Sequence, residues 1–220
     1  MPKHLQREIE NLKKKILHVG ARVEESLQSA MKALHNFDEI MAQTVIDGDQ
    51  DIDALEVDVE EDCLKILALH QPVAIDLRFI VSVLKINNDL ERIGDLATNI
   101  AERVQALVPE SQRVTIPSDI PELARRSLQM VKLSLDSLVA MDVDLARNVC
   151  RSDEEVDILH RKMYRFTEDN IAADPLHTPS FIQVLGISRY LERIADHATN
   201  IAEDVIYMVE GEITRHRMPS

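Results

Sequence analysis

Residues 90–102 read LERIGDLATNIAE, and residues 191–203 read LERIADHATNIAE. The two segments are identical at 11 of 13 positions, with an offset of 101. Their apolar residues recur in steps of three and four, the period of a helix face and not of a strand. The repetition continues upstream. Asp38, Ala42, Val45, Asp49 and Asp53 return as Asp142, Ala146, Val149, Asp153 and Asp157, at an offset of 104. The drop in offset puts a shorter connection in the second half, and two copies of one supersecondary unit are the simplest account.

Working outward, Leu5, Ile9, Leu12, Ile16, Val19, Val23, Leu27, Ala30 and Leu34 mark one long amphipathic helix, interrupted at residues 36–38. A second helix runs from Ile40 through Val45, Ile52, Leu55 and Val59 to Leu67. Gln71 and Pro72 form a corner, because the residue before proline is biased away from helical geometry, and a third helix follows over residues 76–107. Pro109, Pro117 and Pro121 bracket a connector. The second half repeats the plan with helices over residues 122–139 and 142–170, a corner at residues 174–179, and a last helix ending near Val209 with Gly211 as its C-terminal cap. Residues 215–220 read as a frayed end. The expectation is an all-α protein of two tandem three-helix bundles, six long helices in all, related by internal duplication, with residues 1–110 and 111–220 as the two units.

Composition agrees with this and narrows function. The chain has 220 residues, 45% of them hydrophobic but only 3% aromatic, with 5 glycines and no tryptophan, so its core is built from aliphatic side chains that suit helices. The 25 basic and 39 acidic residues give a formal charge of -14, which repels phosphate backbones and argues against nucleic-acid binding. Cys63 and Cys150 sit in helical patterns as small hydrophobes and fit a reducing compartment. No signal peptide is evident and no apolar stretch reaches membrane-span length. The reading is a cytoplasmic protein whose only membrane association is through partner proteins.

The polar residues of the repeated motif carry the functional signal. Glu91 and Asp95 stand four apart on one helix face, as do Glu192 and Asp196. The preceding helix carries Asp49 and Asp53 in the first half, Asp153 and Asp157 in the second. A short corner makes these helices antiparallel neighbours, so each half brings four carboxylates towards one groove. Partly buried, such groups repel unless a cation relieves them. Their oxygen ligands suit hard ions such as iron, manganese, magnesium or calcium, and the lack of a histidine set makes zinc a poor choice. Against this, residues 38–62 hold 11 acids and no base, and many of these are ordinary solvated charges. Glu56 and Glu60 belong with those, since their counterparts are His160 and Tyr164. Asn99 and Asn200 extend the acidic lines by a turn. Arg92 and Arg193 read as ion-pair partners, and Thr98 and Thr199 as packing residues with backbone-bonded hydroxyls. His197 stands where the first repeat has Leu96, either as a partly exposed polar substitution or as a ligand in the second repeat.

Residues 68–102, ALHQPVAIDLRFIVSVLKINNDLERIGDLATNIAE, resemble the most distinctive segment of the PhoU family, the phosphate-transport accessory and regulatory proteins. DGDQDIDALE at residues 47–56 resembles its second-helix motif, and the second LERIADHATNIAE its C-terminal repeat. The resemblance implies two three-helix bundles about a pseudo-twofold axis, frequent dimerisation, and metal ions, including iron clusters, held on E(D)xxxD motifs. Those motifs fall on Asp49 and Asp53, Glu91 and Asp95, Asp153 and Asp157, and Glu192 and Asp196. It further implies repression of the phosphate-starvation response, restraint of phosphate uptake, and linkage of the phosphate ABC transporter's ATPase subunit to a membrane sensor histidine kinase. One departure is internal: Asp76 to Arg78 align with His177, Thr178 and Pro179 in the second half. A non-enzymatic adaptor is the leading reading. A carboxylate-bridged metal enzyme, which the absence of Glu-x-x-His in the repeated motifs disfavours, and a purely structural helical protein are the alternatives.

Overall fold

A computed structural model describes residues 3–111 and 115–211, so the expected fraying of residues 215–220 lies outside the described residues. The helices are α1 (Lys3–Asn36), α2 (Glu39–Asp47), α3 (Asp49–His70), α4 (Ala74–Leu107), α5 (Asp119–Ala140), α6 (Val143–Ala173) and α7 (Thr178–Glu210). Short 3₁₀ turns, Val108–Glu110 and Pro175–His177, follow α4 and precede α7. In each half a long first helix packs on a central one, and an outer helix closes the bundle: α1, α3 and α4 in the first, α5, α6 and α7 in the second. The α1 stripe predicted from periodicity is the buried one, with Leu12, Ile16, Val19, Val23 and Leu27 all at 1% exposure or less. Each such side chain contributes roughly 1.5–3 kcal/mol by leaving water.

The duplication is visible in the backbone where no motif announced it. Phe37 and Met141 both take left-handed conformations, φ 51° and 54°, at the ends of α1 and α5. The amides of Asp38 and Asp142 then donate back to the carbonyls of Ala33 (2.9 Å) and Ser137 (3.0 Å), the longer hydrogen bond of a Schellman turn. Both aspartates cap the next helix, accepting from the amides of Met41 (2.9 Å) and Leu145 (3.0 Å).

The expected second helix is broken in two at Gly48, while its counterpart α6 runs unbroken. Gly48 and the flanking Asp47, Asp49 and Asp51 are weak helix formers. Arg151 and Ser152 stand at the positions equivalent to Asp47 and Gly48.

α4 and α7 run antiparallel through the middle and join the halves. Lys85 Nζ donates to Asp204 Oδ1 at 3.1 Å, and Arg103 donates to Gln183 Oε1 (2.6 Å) and the Tyr190 hydroxyl (3.0 Å). Between them, His197 Nδ1 lies 2.8 Å from Asp89 Oδ1, which also accepts from Asn200 Nδ2 at 3.2 Å. His197 is therefore neither an exposed substitution nor a ligand in the acidic groove: its side chain, 16% exposed, is turned onto the other repeat. The same contact takes Asn200 off the acidic line.

Candidate metal clefts

Helices α3 and α4 form the walls of the first cleft, and α6 and α7 those of the second. Close approach of α3 to α4 depends on Gly94, where a Cβ would stand 3.3 Å from Ile52 and 3.9 Å from Asp49 Oδ1. One turn before the acidic pair, Asn87 Nδ2 donates to the Glu56 carbonyl at 2.9 Å. In the second half the same register is held by His160 Nδ1 and Ser188 Oγ at 3.0 Å. These polar ties explain why the outer helices keep their pairs aimed at the central ones.

The expected carboxylates share the clefts. Burial raises the pKa of Asp49, and Asp53, Asp95 and Glu102 add to the rise while the Thr98 hydroxyl opposes it. Burial also raises that of Glu91, with Asp95, Glu56 and Asp53 acting in the same direction. In the second cleft Asp153 is pushed up to about 6, first by burial and then by Asp196, Asp157 and Glu154. Glu192 and Asp196 are raised too, burial again leading, with Asp157 repelling both. All eight positions thus belong to two groups of mutually repelling acids. Glu56, which its counterpart His160 argued against, also borders the first cleft and is raised by burial, Glu60 and Asp53.

The two clefts differ in compensation. Arg92 turns onto its own helix, 3.0 Å from Asp95 and 3.3 Å from Glu91 Oε2, and its charge also lowers the pKa of Glu56 on α3. Arg193 makes no such close pair among the described residues, and acts on Asp196 only through its charge. The larger shift at Asp153 follows from its burial and from the charges of Asp196, Asp157 and Glu154.

Hard-ion chemistry fits these residues on one further observation. Glu91 Oε2 is buried with no hydrogen bond, only the Arg92 contact, and the Thr98 and Thr199 hydroxyls act on Asp49 and Asp153 rather than on the backbone as expected. A buried carboxylate oxygen without a hydrogen bond, set among other crowded carboxylates, is what a cation would satisfy. Among the described residues, no three histidine, cysteine, aspartate or glutamate side chains are gathered closely enough to hold an ion as they stand. Uncompensated charges spread apart, and drawing them together is the work an ion would do. Asn99 is tied to its own helix, its Nδ2 donating to the carbonyl of Asp95 at 2.8 Å. Cys63 and Cys150 are unpaired, and burial pushes both thiols up to about 12, which keeps them inert. No described helix is long and apolar enough to cross a membrane.

Comparison with known proteins places the whole chain. The PhoU domain matches it twice, over residues 16–104 and 120–205, once per half of the duplication. The phosphate-specific transport system accessory protein PhoU of Escherichia coli is 34% identical over 209 residues, 95% of this chain and 86% of that protein. A crystal structure of PhoU from Pseudomonas aeruginosa superposes with a TM-score of 0.91 at 36% identity, covering 94% of this chain and 99% of that one. The phosphate transport system regulatory protein PhoU from Streptococcus pneumoniae gives 0.86 at 29% identity, over 95% and 98% of the two chains. With this coverage, a repeated domain and a shared architecture, the chain belongs to the PhoU family.

Proposed function

We propose that this protein is a non-enzymatic accessory of phosphate transport, a cytoplasmic adaptor that restrains phosphate uptake and represses the phosphate-starvation response. The observation that carries this reading is the near full-length match to relatives named as phosphate-specific transport accessory proteins. The partners are the ATPase subunit of a phosphate ABC transporter and a membrane sensor histidine kinase, with the protein itself a homodimer. Support for docking comes from the α3–α4 corner, where Leu69, Val73 and Ile75 stand exposed together. A rigid helical face of this kind acts by binding one state of a partner better than another. Asp49, Asp53, Glu91 and Asp95 in one cleft, and Asp153, Asp157, Glu192 and Asp196 in the other, hold iron or another hard cation such as manganese, magnesium or calcium. Bound there, an ion neutralises the crowded charge and locks each outer helix to its central helix. Capture from solubilised membranes at high and low phosphate tests the adaptor role: retention of the ATPase subunit or the kinase supports it, and recovery of neither at both levels refutes it. Elemental analysis of protein purified without chelator tests the ions independently, since unchanged metal content in Asp49→Asn/Asp53→Asn and Asp153→Asn/Asp157→Asn would remove these ligands from the account.

A further inference from the structure

The crossing of α4 and α7 carries a cationic hollow that its acidic surroundings do not explain. Arg103 of α4 and Arg189 and Arg193 of α7 line a cavity of about 430 Å³ together with Tyr164, Tyr190 and Gly186. A volume of this order is within the usual range for small-ligand sites. Arg103 is fixed but not neutralised. Its two terminal nitrogens donate to the uncharged acceptors Gln183 Oε1 and the Tyr190 hydroxyl, its guanidinium lies 4.9 Å from the Tyr190 ring centroid, and its Nε is buried with no partner. Gly186 makes room for it, since a Cβ there would fall 2.5 Å from the guanidinium carbon.

Arg189 and Arg193, four residues apart on one helix face, repel each other by a few tenths of a kcal/mol and form no ion pair among the described residues. The nearest acids, Glu192 and Asp196, feel these arginines but belong to the metal cleft on the adjoining face. Duplication does not account for the cluster either. Arg193 is repeated as Arg92, but the positions equivalent to Arg103, Gly186, Arg189 and Tyr190 are Asp204, Lys85, Asn88 and Asp89, so the other half does not reproduce the cluster. Three guanidinium groups lining one cavity without a close ion pair among the described residues, in a chain of formal charge -14, match the forked geometry that recognises phosphoryl oxygens.

We propose that Arg103, Arg189 and Arg193 form a binding site for a phosphate-bearing anion at the α4–α7 crossing. The site stands apart from the metal reading, so its test uses metal-free protein in chelator. Calorimetric titration with inorganic phosphate, with AMP and with sulfate separates the sources. Saturable binding of inorganic phosphate identifies the free ion, and binding of AMP without inorganic phosphate identifies an ester. In either case Arg189→Gln and Arg193→Gln, both on the exposed side, weaken binding about tenfold each while leaving the unfolding midpoint in place. Gly186→Ala, which displaces Arg103, does the same without touching a charge. No saturable binding at millimolar ligand overturns the proposal. So does binding that the arginine variants leave unchanged, or binding that sulfate matches and moderate salt abolishes.

Discussion

Replacing Asp153 by Asn should make the metal-free protein more stable, although it removes a residue assigned to a binding site. In the folded chain Asp153 is held at about 6 against an ordinary 3.8. The folded protein therefore binds a proton more tightly than the unfolded one between those values. The unfavourable charge is fully present above about 6, diminishes as pH falls through 6, and is gone below the unfolded value. A fully shielded group with this gap would cost about 3 kcal/mol. Asp153 is only partly buried, and solvent screening reduces the figure to about 1–1.5 kcal/mol. At this chain length that is a rise of about 2–6 °C in the unfolding midpoint. Thermal unfolding in chelator at pH 8 should show the gain, and the same measurement near pH 4 should show almost none. Added metal should reverse the order at pH 8, because the wild-type chain gains from the ion and the variant does not. An Asp153→Asn protein no more stable than wild type at pH 8 in chelator would refute the picture of a buried, uncompensated charge.

Removing the His197 imidazole should leave the largely buried Asp89 with one partner fewer and cost about 1–3 kcal/mol in urea unfolding; a neutral result would show that the cross-repeat contact is incidental. Asp38→Ala and Asp142→Ala should each destabilise by about 1 kcal/mol, and by similar amounts, since the two caps have the same geometry. Gly211→Ala should lower the thermal midpoint, because φ is 77° and the new methyl would meet the Arg78 guanidinium at 2.8 Å.

The sequence carried the all-helical duplication, the buried stripes and the pairing of carboxylates, because each is written in local spacing. Asp49 to Asp53 and Glu91 to Asp95 are one helical turn apart, and a short corner brings the two turns together. What periodicity does not carry is the identity of the element a face meets. His197 and Asp89 lie far apart in the chain, and nothing in either neighbourhood marks the other as its partner. The Gly48 break escaped for a different reason: the apolar pattern continues across it, and only the cluster of Gly and Asp residues hinted at a weak point. Arg103, Arg189 and Arg193 were hidden by the overall negative charge, which says nothing about local sign. Comparing the two halves position by position was the one signal available for them, since Arg103 aligns with Asp204 and Arg189 with Asn88.

Each acidic cleft has one wall on the antiparallel pair α4 and α7 and the other on a helix confined to its own half. The shared walls are clamped to one another by Lys85, Asp89 and Arg103, so the freedom to close lies in α3 and in α6, which do not share a cleft. An ion drawing α3 inward leaves the geometry around Asp153 as it was. Loading should then climb gradually over a broad span of ion concentration, as two separate gauges reading the same quantity, without the sharp threshold of a coupled pair.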